Sequence, residues 1–284
     1  MQQDKPPLLV SVNWLQSRLN ESGIVILYTR IANIQTGELE PSKGKYIPGA
    51  RLFDFEADFV DLGSTLPHTM PSSESFVERA RALGINANDH LIVYDSQGLY
   101  AAPRVWWMFK SMGHNKISIL KGGLPAWLQA GLLTVDQPAR TKRQGTFDGQ
   151  LISSAWASCE DVQAALRQKS AMVIDARSHD RFSGKEKEPR QGVRQGHMPG
   201  ALNIPFTDTQ RKGELLEADE LHALFSQVGL QSDQPMIFTC GSGVTACCLA
   251  FAAASIGYMQ LSIYDGSWNE WGRRVDLPIE TSTV

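Results

Sequence analysis

The sequence predicts an α/β protein made of two tandem copies of one domain, each copy a parallel sheet flanked by helices. Three observations predict this architecture. Short apolar runs alternate along the chain with helical stretches, four sequence blocks recur in the same order in both halves, and a stretch without regular periodicity separates the halves.

The strand-like runs are short and continuously apolar, which is typical of strands covered on both faces of a parallel sheet. These runs are Val25 to Leu27, Leu91 to Tyr94, Val173-Ile174, Met236 to Thr239 and Leu261 to Tyr264. The clearest helical stretches are Phe76 to Leu83, Leu221 to Val228 and Thr245 to Ser255. Strands that alternate with helices in this way predict the α/β class.

The recurring blocks indicate that one half duplicates the other. The matched pairs are Leu91-Ile-Val-Tyr-Asp95 with Met236-Ile-Phe-Thr-Cys240, Tyr28-Thr-Arg30 with Asp175-Ala-Arg177, Tyr46-Ile-Pro-Gly-Ala50 with His197-Met-Pro-Gly-Ala201, and Gly113 to Gly122 with Gly257 to Gly266. Because the blocks keep one order, the first half carries Asp95 at the position where the second half carries Cys240.

Residues 134–150 separate the two halves and are rich in Pro, Gly, Thr, Arg and Gln. This composition predicts an exposed linker. We therefore predict a first domain over residues 1–135 that lacks a catalytic cysteine, a linker over 136–150, and a second, catalytic domain over 151–284.

Composition and charge exclude several classes of protein. At 284 residues with 42% hydrophobic residues, the chain is long enough for two ordinary domains. The net charge of -3, with both signs interspersed, leaves no extended basic stripe, so we expect no nucleic-acid partner. No run approaches the roughly 18 apolar residues of a membrane span, and the apolar run that follows Met1 to Pro7 is too short for a signal peptide.

The cysteines predict the redox environment. Cys159, Cys240, Cys247 and Cys248 all lie after residue 158, so the first half offers no disulfide partners. We expect no disulfide framework and a reducing, cytoplasmic location. Their spacing to histidines matches no zinc site, and we expect neither a metal nor another cofactor.

The segment Thr239-Cys240-Gly-Ser-Gly-Val-Thr-Ala246 lies between a buried strand and an Ala-rich helix, where α/β active sites are usually found. Gly241 and Gly243 are expected to turn backbone N–H groups inward and form an anion-binding nest around the Cys240 sulfur. Cys247 and Cys248 lie in the following helix and are expected to pack in the core.

This loop, Cys-Gly-Ser-Gly-Val-Thr-Ala, resembles the active-site loop of the 3-mercaptopyruvate sulfurtransferases of the tandem rhodanese superfamily. The resemblance spans nearly the whole chain. It includes Asp175-Ala-Arg177, Arg181-Phe182, Glu188-Pro-Arg190, Gly196-His-Met-Pro-Gly-Ala201 and Tyr264-Asp-Gly-Ser-Trp-Asn-Glu-Trp271. Tyr46 and Met198 depart from residues common in the family, in scaffold positions.

The resemblance implies a role for each site residue. Cys240 would carry the transferred sulfur as a persulfide, and Arg181 and Arg190 would hold the carboxylate and carbonyl of the substrate. Ser242, His68 and Glu56 would form a proton relay. Gly241, Gly243, Val244 and Thr245 would line the substrate loop. The first domain would be a structural partner.

The donor is inferred from the charge of the loop. Related thiosulfate sulfurtransferases usually carry Arg-Lys after the cysteine, whereas this chain has Gly241-Ser242. A neutral loop favours the monoanionic 3-mercaptopyruvate over a compact dianion. The expected acceptor is a thiol, with thioredoxin as a candidate, or cyanide.

Two alternative functions are open. One is thiosulfate:cyanide sulfurtransfer on the same fold. The other is a redox-sensing or sulfur-relay module, in which Cys240 oxidises and Cys247 or Cys248 resolves it.

Overall fold

The computed structural model describes residues 6–32, 44–141 and 143–281. Two predictions fall partly outside the described residues. Residues 1–5 belong to the stretch in which we expect no signal peptide, and Lys142 belongs to the predicted linker. The chain packs as two compact units. The first comprises the described residues through Leu62, Met70–Ile152 and Lys212–Glu214; the second comprises Gly63–Thr69, Ser153–Arg211 and the described residues from Leu215 onward. Within the described ranges, no helix is long and apolar enough to cross a membrane.

The first unit is a parallel sheet with helices packed on it, and its strand order is β1-β5-β4-β2-β3. Its strands and helices are β1 (Leu9–Val10), α1 (Val12–Gln16), β2 (Ile24–Tyr28), β3 (Arg51–Leu52), α2 (Ser73–Ala82), β4 (His90–Tyr94), α3 (Ala102–Ser111), β5 (Ile117–Leu120) and α4 (Gly123–Gln129).

The second unit repeats this plan, with the parallel strand order β6-β12-β11-β7-β8. Its elements are β6 (Trp156–Ala157), α5 (Cys159–Gln168), β7 (Met172–Asp175), α6 (His179–Ser183), β8 (Leu202–Asn203), α7 (Ala218–Gln227), β11 (Met236–Thr239), α8 (Ala246–Ser255), β12 (Leu261–Tyr264) and α9 (Ser267–Trp271). Two further short strands, β9 (Gln210–Arg211) and β10 (Glu214–Leu215), pair with each other.

The predicted fold class is confirmed, and so is the duplication. In each unit the first strand in the chain lies at one edge of the sheet and the fourth lies at the centre. The central strands are β4 and β11, and both are apolar and almost entirely buried. Since parallel strands end at one edge of their sheet, Asp95 and Cys240 occupy matching positions at the carboxyl ends of the central strands.

Helix α8 is unusual because every residue from Ala246 through Ala253 is buried. An all-apolar helix of small residues packs closely on a sheet, and Ala and Cys side chains lose little rotamer freedom when buried there. The helix therefore fixes the position of the loop that precedes it.

The predicted linker packs against the first unit instead of being exposed throughout. The described part of residues 136–150 forms neither helix nor strand. The Phe147 ring is fully buried and its centroid lies 5.6 Å from that of Phe109. Gly145 is required because a Cβ there would lie 1.9 Å from the Ile85 carbonyl oxygen. The sequence failed to predict this because one apolar residue in a polar segment carries no periodicity.

Candidate active site

Cys240 directly follows β11 and is 2% exposed. The loop continues through Thr245, and α8 begins at Ala246. Gly243 has φ of 77°, in the left-handed region that favours glycine, and it turns the loop toward the helix. A sulfur held between the carboxyl end of a strand and the amino end of a helix lies where backbone N–H groups stabilise negative charge.

Gly241 leaves room for the side chain of Arg181. This role differs from the expectation that Gly241 adopts a special backbone conformation, as Gly243 does. Its φ lies outside the left-handed region, in contrast to Gly243. A Cβ at position 241 would lie 3.0 Å from Nη2 of Arg181. Glycine therefore allows the guanidinium of Arg181 to approach the backbone of the catalytic loop.

Val244 and Thr245 lead the loop into α8. The Val244 carbonyl accepts the N–H of Cys247 at 3.1 Å, and the Thr245 carbonyl accepts the N–H of Cys248 at 3.0 Å. The Cys247 thiol donates to the Gly243 carbonyl at 3.2 Å. Both helix cysteines are fully buried, in agreement with their expected core positions.

The turn between β12 and α9 holds the first two residues of the catalytic loop. The Cys240 N–H donates to Ser267 Oγ at 3.2 Å, and that hydroxyl donates to the Tyr264 carbonyl at 2.7 Å. The N–H groups of Trp268 and Asn269 donate to the carbonyls of Cys240 and Gly241, each at 2.9 Å. These four hydrogen bonds fix the backbone on both sides of the Cys240 side chain.

Ser267 itself adopts φ of 51° and is fully buried. Glycine occupies the matching position of the first unit, Gly123, with φ of 54°. A left-handed conformation costs a non-glycine residue roughly 1–2 kcal/mol. The strained backbone conformation of Ser267 therefore accompanies a hydroxyl group that accepts the Cys240 N–H.

Ser242 and His68, which lie far apart in the sequence, are brought together. His68 Nδ1 lies 3.1 Å from Ser242 Oγ, and both side chains are buried. The segment that carries His68, Gly63–Thr69, packs with the second unit. His68 has φ of 63°, a conformation that is uncommon for residues other than glycine and that is found at functional sites.

Glu56 belongs to the first unit. Its Oε2 accepts a hydrogen bond from the Ala32 N–H at 2.7 Å, and its own N–H donates to Asp54 Oδ1 at 3.1 Å. The structure brings Ser242 and His68 within hydrogen-bond distance. The proton relay of Ser242, His68 and Glu56 stays a prediction.

Arg177 and Glu188 belong to a buried network of charged side chains. Arg177 is fully buried and forms ion pairs with Asp175 at 2.6 Å and with Glu188 at 2.7 Å. Its guanidinium also lies 4.4 Å from the ring centroid of Trp268. Burial alone would lower the pKa of Arg177, but Asp175 and Glu188 outweigh that effect and raise it.

Glu188 also binds Arg181, with Nη2 to Oε2 at 2.6 Å and Nε to Oε1 at 3.3 Å. This two-point contact fixes the plane of the guanidinium, which also lies next to Gly241. Arg181 therefore has its position set by Glu188, and its remaining N–H groups are the ones that can meet a substrate.

Arg190 differs from Arg181, whose guanidinium is paired with Glu188. Within the described residues, no Asp or Glu oxygen lies within ion-pair distance of its guanidinium. Burial lowers the pKa of Arg190, the charges of Cys240 and Glu188 oppose that effect, and the guanidiniums of Arg181 and Arg273 lower it further. Arg190 is thus a partly buried cation near Cys240, and among the described residues its guanidinium forms no ion pair with a carboxylate.

A model of the rhodanese-like domain family matches residues 11–130 and 158–274. The chain belongs to the rhodanese family. It is 41% identical to 3-mercaptopyruvate sulfurtransferase of Escherichia coli strain K12, over 95% of this chain and 97% of that protein. It is 36% identical to thiosulfate/3-mercaptopyruvate sulfurtransferase 1, mitochondrial, of Arabidopsis thaliana, over 96% of this chain and 78% of that protein.

Solved structures agree with this result. The crystal structure of the 3-mercaptopyruvate sulfotransferase SseA from Escherichia coli matches with a TM-score of 0.83 and 38% identity, covering 93% of this chain and 99% of that one. The predicted family and the predicted pair of rhodanese-like domains are confirmed.

Two residues of this rhodanese site were missed by the sequence analysis. Ser267 and Glu188 both lie in recognised motifs, but no role was inferred for either. A signal existed for Glu188, because a buried Arg177 needs a second carboxylate besides Asp175. For Ser267 the signal was its alignment with Gly123 in the repeat, which predicts a left-handed residue.

The Ser267 hydroxyl is expected to position Cys240. Ser267→Ala removes the hydroxyl and keeps the strain, so we expect kcat/KM for sulfur transfer to fall about 10-fold. Ser267→Gly removes the same hydroxyl but relieves the strain, so its free energy of unfolding should exceed that of Ser267→Ala by about 1 kcal/mol, with the same loss of activity. Steady-state kinetics and urea denaturation separate the two effects. Wild-type activity in Ser267→Gly would show that the hydroxyl has no positioning role.

Proposed function

We propose that this rhodanese is a sulfurtransferase that takes sulfur from 3-mercaptopyruvate onto Cys240 and passes it to a thiol or to cyanide. The observation that carries the proposal is the placement of buried Cys240 between the carboxyl end of β11 and the amino end of α8, with the guanidinium of Arg181 against Gly241 of the same loop. The names of the Escherichia coli and Arabidopsis relatives support the same activity.

In the first step, the Cys240 thiolate attacks the sulfur of the donor. The bond between that sulfur and carbon 3 of the donor breaks, and its electron pair moves into the adjacent ketone to give the enolate of pyruvate. Cys240 then holds the sulfur as a persulfide, with the hydrogen of the donor thiol still attached. The loop N–H groups and the amino end of α8 stabilise the negative charge.

The enolate must gain a proton before it leaves as pyruvate. Ser242 lies within hydrogen-bond distance of His68, so the hydroxyl can give its proton to the enolate and recover one from the imidazole. Glu56 would complete the relay behind His68.

The charges of the site residues favour a donor with one carboxylate group. Asp175 and Glu188 compensate Arg177 and Arg181, which leaves Arg190 to pair with the incoming carboxylate. A planar guanidinium binds a carboxylate through two parallel hydrogen bonds. Arg181, whose plane is fixed by Glu188, is placed to donate to the ketone.

In the second step, an acceptor thiolate attacks the outer sulfur of the persulfide. The sulfur–sulfur bond breaks, the Cys240 thiolate leaves, and the acceptor departs carrying the sulfur. Thioredoxin is a candidate acceptor. All four cysteines are buried and outside any disulfide, which fits a reducing cytoplasmic environment. We assign the catalysis to a second domain over residues 151–284. A connecting segment over 136–150 precedes it, and the first domain, over 1–135, lacks the catalytic cysteine.

Thiosulfate is the second candidate donor, and the Arabidopsis thiosulfate/3-mercaptopyruvate sulfurtransferase favours it. Thiosulfate carries two charges, so it would need a cation beyond Arg190. We therefore expect 3-mercaptopyruvate to be the better donor by kcat/KM.

Intact mass spectrometry tests the proposal. The wild-type protein incubated with 3-mercaptopyruvate is expected to gain one sulfur atom, mapped to the peptide that contains Cys240, and to release one equivalent of pyruvate. Dithiothreitol should remove the added sulfur, which is the control for a persulfide. A parallel incubation with thiosulfate, followed by cyanide, measures the second candidate. Absence of both the adduct and pyruvate with 3-mercaptopyruvate would reject the proposed donor.

A further inference from the structure

Arg273 lies two residues beyond the end of α9, the helix that follows the turn holding the catalytic loop. Its Nε donates to Asn269 Oδ1 at 3.4 Å, and its N–H donates to the Glu270 carbonyl at 3.2 Å. Asn269 is buried, and its own N–H donates to the Gly241 carbonyl at 2.9 Å. Asn269 therefore links the side chain of Arg273 to the loop that carries Cys240.

The Arg273 guanidinium also lies against the segment that carries Arg190. A Cβ on Gly192 would lie 3.4 Å from Nη1 of Arg273, so this nitrogen is close to the backbone two residues after Arg190. Burial is the largest cause that lowers the pKa of Arg190, and the charges of Arg181 and Arg273 act in the same direction. Three guanidiniums are therefore grouped beside the catalytic loop.

The cations of this group differ in their partners. Arg181 is paired with Glu188 at 2.6 Å, whereas Arg190 and Arg273 form no ion pair with a carboxylate of the described residues. A donor with one carboxylate matches the charge of Arg190. The charge of Arg273 is then available for a second negative charge on the donor.

We propose that Arg273 is a specificity-determining residue, which binds the second negative charge of a dianionic sulfur donor such as thiosulfate. With that donor, the Cys240 thiolate attacks the outer sulfur and the sulfur–sulfur bond of thiosulfate breaks. Its electron pair leaves with sulfite, and Cys240 holds the persulfide. The proposal rests on the proposed function, because it concerns the choice of donor at the same cysteine.

Arg273→Gln tests the proposal with both donors and cyanide as the common acceptor, so thiocyanate formation measures each reaction. We expect kcat/KM for thiosulfate to fall about five-fold, mainly through a higher KM, because an exposed cation contributes a modest, solvent-screened interaction. The value for 3-mercaptopyruvate should change less than about two-fold, since Arg190 and Arg181 remain. Added salt should lower kcat/KM for thiosulfate more steeply in the wild-type protein than in the variant.

Two matched variants give the test its specificity. Arg273→Lys keeps the positive charge, so it should retain most of the thiosulfate activity. Arg274→Gln removes the neighbouring arginine, whose guanidinium is already paired with Asp276 at 2.7 Å, and it should leave the ratio of the two kcat/KM values unchanged. The thermal unfolding midpoint of each variant shows that the fold is retained.

A loss confined to thiosulfate in Arg273→Gln, with recovery in Arg273→Lys, supports the proposal. An unchanged donor ratio in Arg273→Gln, or an equal change in Arg274→Gln, overturns it. No transfer from thiosulfate by the wild-type protein also overturns it, while transfer from 3-mercaptopyruvate would still support the proposed function. Conversely, transfer from thiosulfate that depends on Arg273, without any transfer from 3-mercaptopyruvate, would support the role of Arg273 and reject the proposed donor.

Discussion

Cys240→Ser is expected to abolish sulfur transfer and to leave the fold intact. A serine hydroxyl is nearly isosteric with the thiol, and the backbone bonds from Cys240 to Ser267 and Trp268 do not involve the side chain. An alkoxide is not available at neutral pH and cannot store sulfur, so kcat/KM should fall by a factor on the order of 10⁴ or more. Pyruvate release, intact mass and the circular dichroism of the variant measure the three consequences.

Cys248→Ala is the matched control for this prediction. Its thiol is also fully buried, and it lies in the first turn of α8, beyond the loop that carries Cys240. Truncating it leaves a small cavity that costs about 1 kcal/mol of stability, with little change in turnover. Substantial turnover in Cys240→Ser, or an equal loss in a folded Cys248→Ala, would show that the reactive sulfur has been assigned to the wrong residue.

Removing the charge of Arg190 is expected to have the second largest effect. Arg190→Gln deletes the cation that lacks a carboxylate partner near Cys240, so binding of the donor carboxylate loses its charge-assisted hydrogen bonds. We expect kcat/KM for 3-mercaptopyruvate to fall roughly 10- to 100-fold. The loss should appear mainly in KM if the contact is equally strong in the ground and transition states.

Two companion variants separate charge from geometry. Arg190→Lys keeps the positive charge but not the planar fork, so it should recover only part of the loss. Arg211→Gln removes an exposed arginine paired with Glu220 and should leave the kinetics unchanged. Equal kinetics for Arg190→Gln and the wild-type protein would remove Arg190 from the substrate site.

The sequence predicted the central elements of the fold because their signals are local. The runs at 236–239 and 261–264 coincide with β11 and β12, and the Ala-rich stretch coincides with α8 to within one residue. The prediction that Cys240 is the reactive cysteine rests on the same local signals, since a strand, a glycine-containing loop and a helix meet there.

The remaining features depend on contacts between distant segments. The hydrogen bond between Ser242 and His68 joins residues 174 positions apart. Its prediction rested on the family resemblance, because no pattern in the residues indicates it. The hydrogen bond of Ser267 to the loop spans 27 positions. Burial of Phe147 against the first unit was also missed, because the surrounding polar residues predict a linker.

The close approach of Arg181 to Gly241 makes these two positions epistatic. A side chain at 241 would meet the end of the Arg181 side chain at 3.0 Å, and Glu188 holds that guanidinium at 2.6 Å. The guanidinium would have to shift by a few tenths of an ångström to make room for the side chain. A change at 241 is therefore expected to disturb Arg181, the residue that we propose to bind the donor ketone. Donor preference set by this loop should consequently change by correlated substitutions, and a mutagenesis library that varies positions 181 and 241 together will reach sequences that neither single-site library contains.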